Sequence, residues 1–259
     1  MPTRPSLLAL AALALSACLP PGTHAAVWSS TNVEYLYGWN WDPKLGDEAR
    51  GVITLEHASG FAYGDNFFFL DITHPNGRNK TPELVYGQWD PRFSLGKISN
   101  AKLEFGPFTD VLVTGELGFG AGPFAGDYQR EYNYGLGLDI KMPGFAYFAI
   151  NFWVHDTPYH DGATYQISPY WGAPFHLGTV GFLAEGFLDF VGPEGKAGVD
   201  AGRAEMYLIT QPRFLLDVGS LWKKEGNLFA GTEIDIWWHE FGIKNVNEFV
   251  PQAMLKWVF

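Results

Sequence analysis

Apolar residues recur at every second position along most of this chain. In segment 130–142 one parity holds Tyr132, Tyr134, Leu136, Leu138, Ile140 and Met142, and the other Glu131, Asn133, Gly135, Gly137, Asp139 and Lys141. Segment 204–217 alternates likewise, as do 228–239 and 248–259. A β-strand sends successive side chains to opposite faces, so this period predicts strands with one apolar and one polar face. Twelve are expected, at 32–40, 51–58, 66–73, 83–95, 108–119, 130–142, 145–155, 164–173, 177–190, 204–217, 228–239 and 248–259.

The connections alternate in length. Tight turns are expected at 142–145 and 172–175, and long loops at 41–49, 74–81 and 191–203. Short turns on one rim and long loops on the other are the habit of a membrane barrel. Segment 96–107 breaks this scheme, being long where a short turn belongs. A secreted β-sandwich also alternates. Against it, strands of about 10–12 residues suit a tilted membrane crossing, whereas soluble strands run to about 5–6. The polar parity is rich in glycine and paired charges, which suits an enclosed lumen. Aromatic residues gather near strand ends (Tyr35, Tyr37, Trp39, Tyr132, Tyr134, Trp237, Trp238, Trp257), as interfacial girdles do. The fold class is therefore all-β: a single closed antiparallel transmembrane β-barrel of about 12 strands. In lipid every backbone group must pair, so the sheet must close and segment 248–259 must stay paired up to Phe259. That strand also resembles the terminal assembly signal of bacterial outer-membrane barrels.

Composition fits this picture. Of 259 residues, 47% are hydrophobic and only 17% charged, yet no apolar run approaches the length of a membrane helix. The net charge of −11 argues against nucleic acid as a partner. Residues 1–25 read as a signal peptide cleaved after Ala25, leaving 26–259 as one barrel domain; a lipobox ending at Cys18 is the alternative. Beyond Cys18 there is no cysteine, hence no disulfide.

The stretch WDPRFSLGKISNAKLEFGPF (89–108) resembles the Pro-Arg-Phe-Ser and Phe-Gly-Pro-Phe signature of the Tsx-like nucleoside-specific channel family. YNYGLGLDI (132–140) is similar to that family's Gly-Leu-Gly-x-Asp-Ile strand, and ITLEHASGFAYGDNFFFLDIT (53–73) to its OmpK branch. The resemblance implies a monomeric twelve-stranded channel in the bacterial outer membrane. It would pass nucleosides, with outer-membrane lipid around it and with phages or colicins using it as a receptor.

The inward parity supplies Glu34, Glu56, Asp71 and Lys256, the aromatics Phe67, Trp153 and Trp237, and a candidate solute-binding set. That set is Phe69, Tyr86, Asp90, Arg92, Glu131, Asp139, Lys141, Glu205, Tyr207, Arg213, Glu233 and Asp235. A nucleoside is neutral, flat at one end and hydroxylated at the other. Aromatic faces stack on the base, carboxylates accept from ribose hydroxyls, and Arg or Lys donates to base carbonyls. Tyr86, Asp90 and Arg92 on one strand are expected to face Glu131 and Asp139 on another. The alternative is that these charges pair across strands and fill or plug the bore, leaving a structural or adhesive surface barrel. An outer-membrane lipid hydrolase needs a Ser–His pair facing lipid near the rim, whereas Ser168 and His155 fall on the lumen parity, so no enzyme is expected. Two His and two Asp in 155–161 lack a regular ligand spacing, so neither a metal nor another cofactor is expected.

Overall fold

The computed structural model describes residues 26–41, 49–73, 85–121, 128–196 and 202–259. The expected signal peptide lies outside them, as do most of loop 41–49, all of 74–81 and part of 191–203. The strands are β1 (Trp28–Trp39), β2 (Ala49–Phe61), β3 (Gly64–Thr73), β4 (Val85–Ser94), β5 (Phe108–Ala121), β6 (Tyr128–Ile140), β7 (Tyr147–Asp156), β8 (Thr164–Leu177), β9 (Val180–Val191), β10 (Tyr207–Thr210), β11 (Arg213–Asp217), β12 (Leu228–Trp238) and β13 (Asn247–Val258).

Chain neighbours pair antiparallel, and β1 pairs β13 from Asn32 opposite Val258 to Gly38 opposite Gln252, which closes the ring. Both β10 and β11 lie between β9 and β12. They are one stave interrupted at Gln211-Pro212, because Pro212 has no N–H to give the ladder. Its carbonyl still accepts from the Ile234 amide at 3.0 Å. The barrel therefore has twelve staves. The last strand stays paired to its end, where the Phe259 amide donates to the Thr31 carbonyl at 3.0 Å.

Two connections differ from expectation. Segment 172–175 is not a turn: Pro174 sits opposite Leu183, Phe175 stacks on Phe182 at 5.4 Å, and β8 runs on to Leu177. Gly-Ala-Pro reads as a turn, but cross-strand packing of the following Phe carries the pairing past it, and Gly178 at φ 65° makes the reversal instead. Segment 96–107 holds a short helix, α1 (Leu95–Ser99), which Ser94 caps by accepting from the Lys97 amide at 3.1 Å. Asn100 ends it in the left-handed conformation, and Phe105 stacks on Phe108 at 4.6 Å before β5 begins.

The polarity of the molecule is inside out. Leu117, Phe119, Leu136, Phe152, Phe214, Phe249, Leu255 and Trp257 stand exposed on the outer wall. Their strand neighbours Glu116, Gly137, Asn151, Glu248 and Lys256 face the lumen, where Glu34 is 0% exposed. A soluble domain keeps almost no unpaired charge fully buried; here the apolar face is the solvent-facing one, as hydrocarbon demands. No helix among the described residues is long and apolar enough to cross a membrane, so strands do the crossing.

Candidate functional site

The lumen is built in three tiers by the inward parity of the staves. In mid-strand, β1 and β2 bring Glu34 and Glu56, β9 brings Glu185, and β12 brings Glu233 around two cations, Arg213 of β11 and Lys256 of β13. Arg213 Nε meets Glu233 at 2.7 Å, and its Nη1 meets Glu56 at 2.8 Å and Glu34 at 3.3 Å. Lys256 Nζ meets Glu185 at 2.6 Å, Glu34 at 3.1 Å and Glu56 at 3.4 Å. Around the ring β9 and β2 are separated by β11, β12, β13 and β1, so they stand on nearly opposite walls. The cluster therefore bridges the bore. Leu36, Leu215, Phe229 and Met254 pack together beside it. Buried charges persist only when paired, and both cations here are saturated with carboxylates.

Nearer the short-turn rim, Arg92 is consumed in the same way. Its Nε and Nη2 grip Asp65 at 2.7 and 2.8 Å, and Nη1 donates to Asp139 at 2.8 Å. Its guanidinium lies 5.6 Å from the Tyr170 ring.

The tier toward the long-loop rim is different. Asn133 Nδ2 donates to Glu116 at 2.7 Å and to Glu131 at 2.8 Å. His155 Nδ1 lies 3.0 Å from Glu131 and 2.8 Å from the Gln166 side-chain oxygen, and its Nε2 lies 3.5 Å from Glu194. Ser168 and Gln166 stand beside Asp189. Aromatic rings flank this tier: Phe69 packs on Tyr86 at 5.8 Å, and at the mouth Trp237 lies 6.1 Å from Tyr207 and 5.1 Å from Phe241.

Ten of the twelve candidate residues face the lumen or its mouth. The expected contact between the Arg92 strand and Asp139 is made. Glu233 meets Arg213, Asp235 accepts from Gln211 at 3.1 Å, and Asp90 lies near Glu131. Lys141 and Glu205 are exceptions. Both are exposed and lie beyond their strands, at the short-turn and long-loop rims respectively; the alternation continues in sequence after the ladder has ended. Asp65, Glu116, Glu185 and Asp189 also belong to the lumen, although the alternation does not single them out. In β9 the sequence VGFLAEGFLDFV is apolar on both parities, which hides the inward face of its two carboxylates.

Ser168 Oγ accepts from Trp153 Nε1 at 3.1 Å and from Gln166 Nε2 at 3.0 Å, and His155 is held by carboxylates and Gln166, so the two are parts of a lumenal network. Among the described residues no group of three or more His, Asp or Glu is arranged to hold a metal.

No family model matches the chain. It is 23% identical to the outer membrane protein OmpK of Vibrio parahaemolyticus over 188 residues, covering 71% of this chain and 67% of OmpK. It is 28% identical over 153 residues to the nucleoside-specific channel-forming protein Tsx of Klebsiella aerogenes, covering 52% of this chain and 50% of that protein. With Tsx of Salmonella typhimurium the identity is 30% over 122 residues, 43% of this chain and 41% of that one. The match thus spans half or less of these two Tsx proteins. Together with the closed barrel, these relatives bear out the resemblance to a Tsx/OmpK-like family. They also support an outer-membrane, multi-pass placement.

Proposed function

We propose that this barrel is a passive channel, acting as a monomer, through which nucleosides and similar small polar solutes cross the outer membrane. The observation that carries the proposal is the pairing of flat aromatic rings with hydrogen-bond acceptors along one stretch of bore. Tyr207 and Trp237 stand at the mouth, and Phe69 and Tyr86 pack together beside a network of Gln88, Glu116, Glu131, Asn133 and Gln166. Rings can stack on a base, and carboxylates and amides can accept from ribose hydroxyls, at contacts weak and numerous enough to release the solute again. The Tsx relatives are channels of this specificity by name. Mid-bore the side chains are packed close, so transport is selective and slow beside that of a wide porin. The exposed Phe241 and Ile243 at the long-loop rim offer a surface where a phage or colicin would attach.

A second reading is favoured by the ionic cluster that bridges the bore: a surface barrel whose lumen is plugged by Arg213 and Lys256. Purified barrel in planar bilayers separates the two. The channel gives discrete current steps that fall as thymidine is added, and Tyr207→Ala with Trp237→Ala weakens that block. Absence of current supports the plug, and current indifferent to thymidine removes the nucleoside.

A further inference from the structure

We propose that the upper lumen is a binding well for small cationic solutes bearing amino groups, and that it makes the channel cation-selective. The binding half stands on the geometry below; the selectivity half also rests on the channel reading above.

Four carboxylates converge there: Asp90 of β4, Glu116 of β5, Glu131 of β6 and Asp189 of β9, each within electrostatic reach of the others. They come from walls on opposite sides of the ring, since β4 and β9 are separated by β5, β6, β7 and β8. The groups facing them are Gln88, Asn133, Gln166, Ser168, Tyr86 and the imidazole of His155. No permanent cation is left for them among the described residues. Arg92, the nearest, spends its hydrogen-bonding nitrogens on Asp65 and Asp139, and Arg213 and Lys256 are saturated in the mid-bore cluster.

A second observation is independent of the charge. Asn133 is 3% exposed, and its Nδ2 is shared among Glu116, Glu131 and Gln166, yet its Oδ1 has no hydrogen-bond partner. Asp90 Oδ1 is likewise buried and unpartnered. Two buried acceptors of the well are thus unmet, and unmet buried acceptors are costly. An alkylammonium group supplies what is missing: three donors and one positive charge on a compact head. A neutral nucleoside can offer an amino donor but no charge. Above the well, the faces of Tyr207, Trp237 and Phe241 form an entrance that attracts cations through the ring quadrupole. Rings of Asp and Glu select cations in pores generally.

Spermidine serves as the probe. Titrated calorimetrically into detergent-folded barrel at low salt, it is expected to bind saturably, with affinity reduced about tenfold or more in the Glu116→Gln/Asp189→Asn double variant. Glu205→Gln, on the rim, controls for attraction to the acidic exterior and is expected to leave the affinity unchanged. Loss of saturable binding in the native barrel, or equal affinity in the double variant, overturns the well. If the double variant loses the gel mobility of a folded barrel, Asp90→Asn replaces it with the same two readings. In planar bilayers under a KCl gradient, the reversal potential is expected to have the sign of K⁺ preference and to move toward zero in the variant. A zero or anion-selective potential overturns the selectivity. Complete absence of current sinks the channel reading instead, and the calorimetry still decides the well.

Discussion

Two sets of four carboxylates face the same bore and are treated in opposite ways. In mid-strand, Glu34, Glu56, Glu185 and Glu233 hold Arg213 and Lys256 at ion-pair distance. Toward the long-loop rim, Asp90, Glu116, Glu131 and Asp189 have one imidazole and the neutral amide donors of Asn133 and Gln88 among them, and no Arg or Lys at ion-pair distance among the described residues. Moving a charge out of water costs several kcal/mol, and only a close opposite charge or a polar ligand offsets it. The mid-bore set is compensated by the chain itself and ties six staves together. The upper set is left for something outside the chain to compensate. Within one lumen, paired charge is structural and unpaired charge is available for recognition.

Breaking the paired set gives the largest effect. Arg213→Ala leaves Glu233 without a cation and Glu34, Glu56 and Glu185 sharing Lys256 alone, and is expected to cost about 3–5 kcal/mol of stability, read as a lower urea midpoint for the lipid-folded barrel. Unchanged stability would mean that the cluster is already hydrated and does not bridge the walls. Removing the mouth aromatics comes next: Tyr207→Ala and Trp237→Ala are each expected to weaken thymidine block by about 1–3 kcal/mol while leaving the urea midpoint near that of the native barrel. Glu116→Gln sharpens the comparison from the other side. Neutralising one member of an uncompensated set is expected to shift stability by less than about 1 kcal/mol, in either direction, against the large loss at Arg213. Smallest of all, Lys141→Ala and Glu205→Ala touch neither set and are expected to stay within about 0.5 kcal/mol in unfolding and to leave conductance unaltered.

The unequal legibility of these features in the sequence has a physical cause. Strands such as β6 and β13 are readable because one parity is apolar except for Arg130 or Asn247 near the strand's start and the other is not, and the barrel follows from strand length and from the need to close the ring. Long-range partners were not readable. Arg213 and Glu56 are 157 residues apart in sequence, and their meeting depends on the register accumulated around every stave between them. Glu185 and Asp189 sit in a strand apolar on both faces, and Lys141 and Glu205 continue an alternation past the end of the ladder that gave it meaning. The hydrogen bonds that set where a strand stops depend on its neighbours rather than on its own residues, which is also why 172–175 folds as strand.

The claim on which the rest depends is that apolar side chains face hydrocarbon while carboxylates face an enclosed lumen. A nitroxide scan along β5, placing one label at a time from Val111 to Phe119 in lipid-reconstituted barrel, tests it directly. The expected result is an oxygen accessibility that alternates with period two and peaks at Val113, Leu117 and Phe119, with minima at Leu112, Thr114 and Glu116. An alternation of opposite phase, or none, would contradict it.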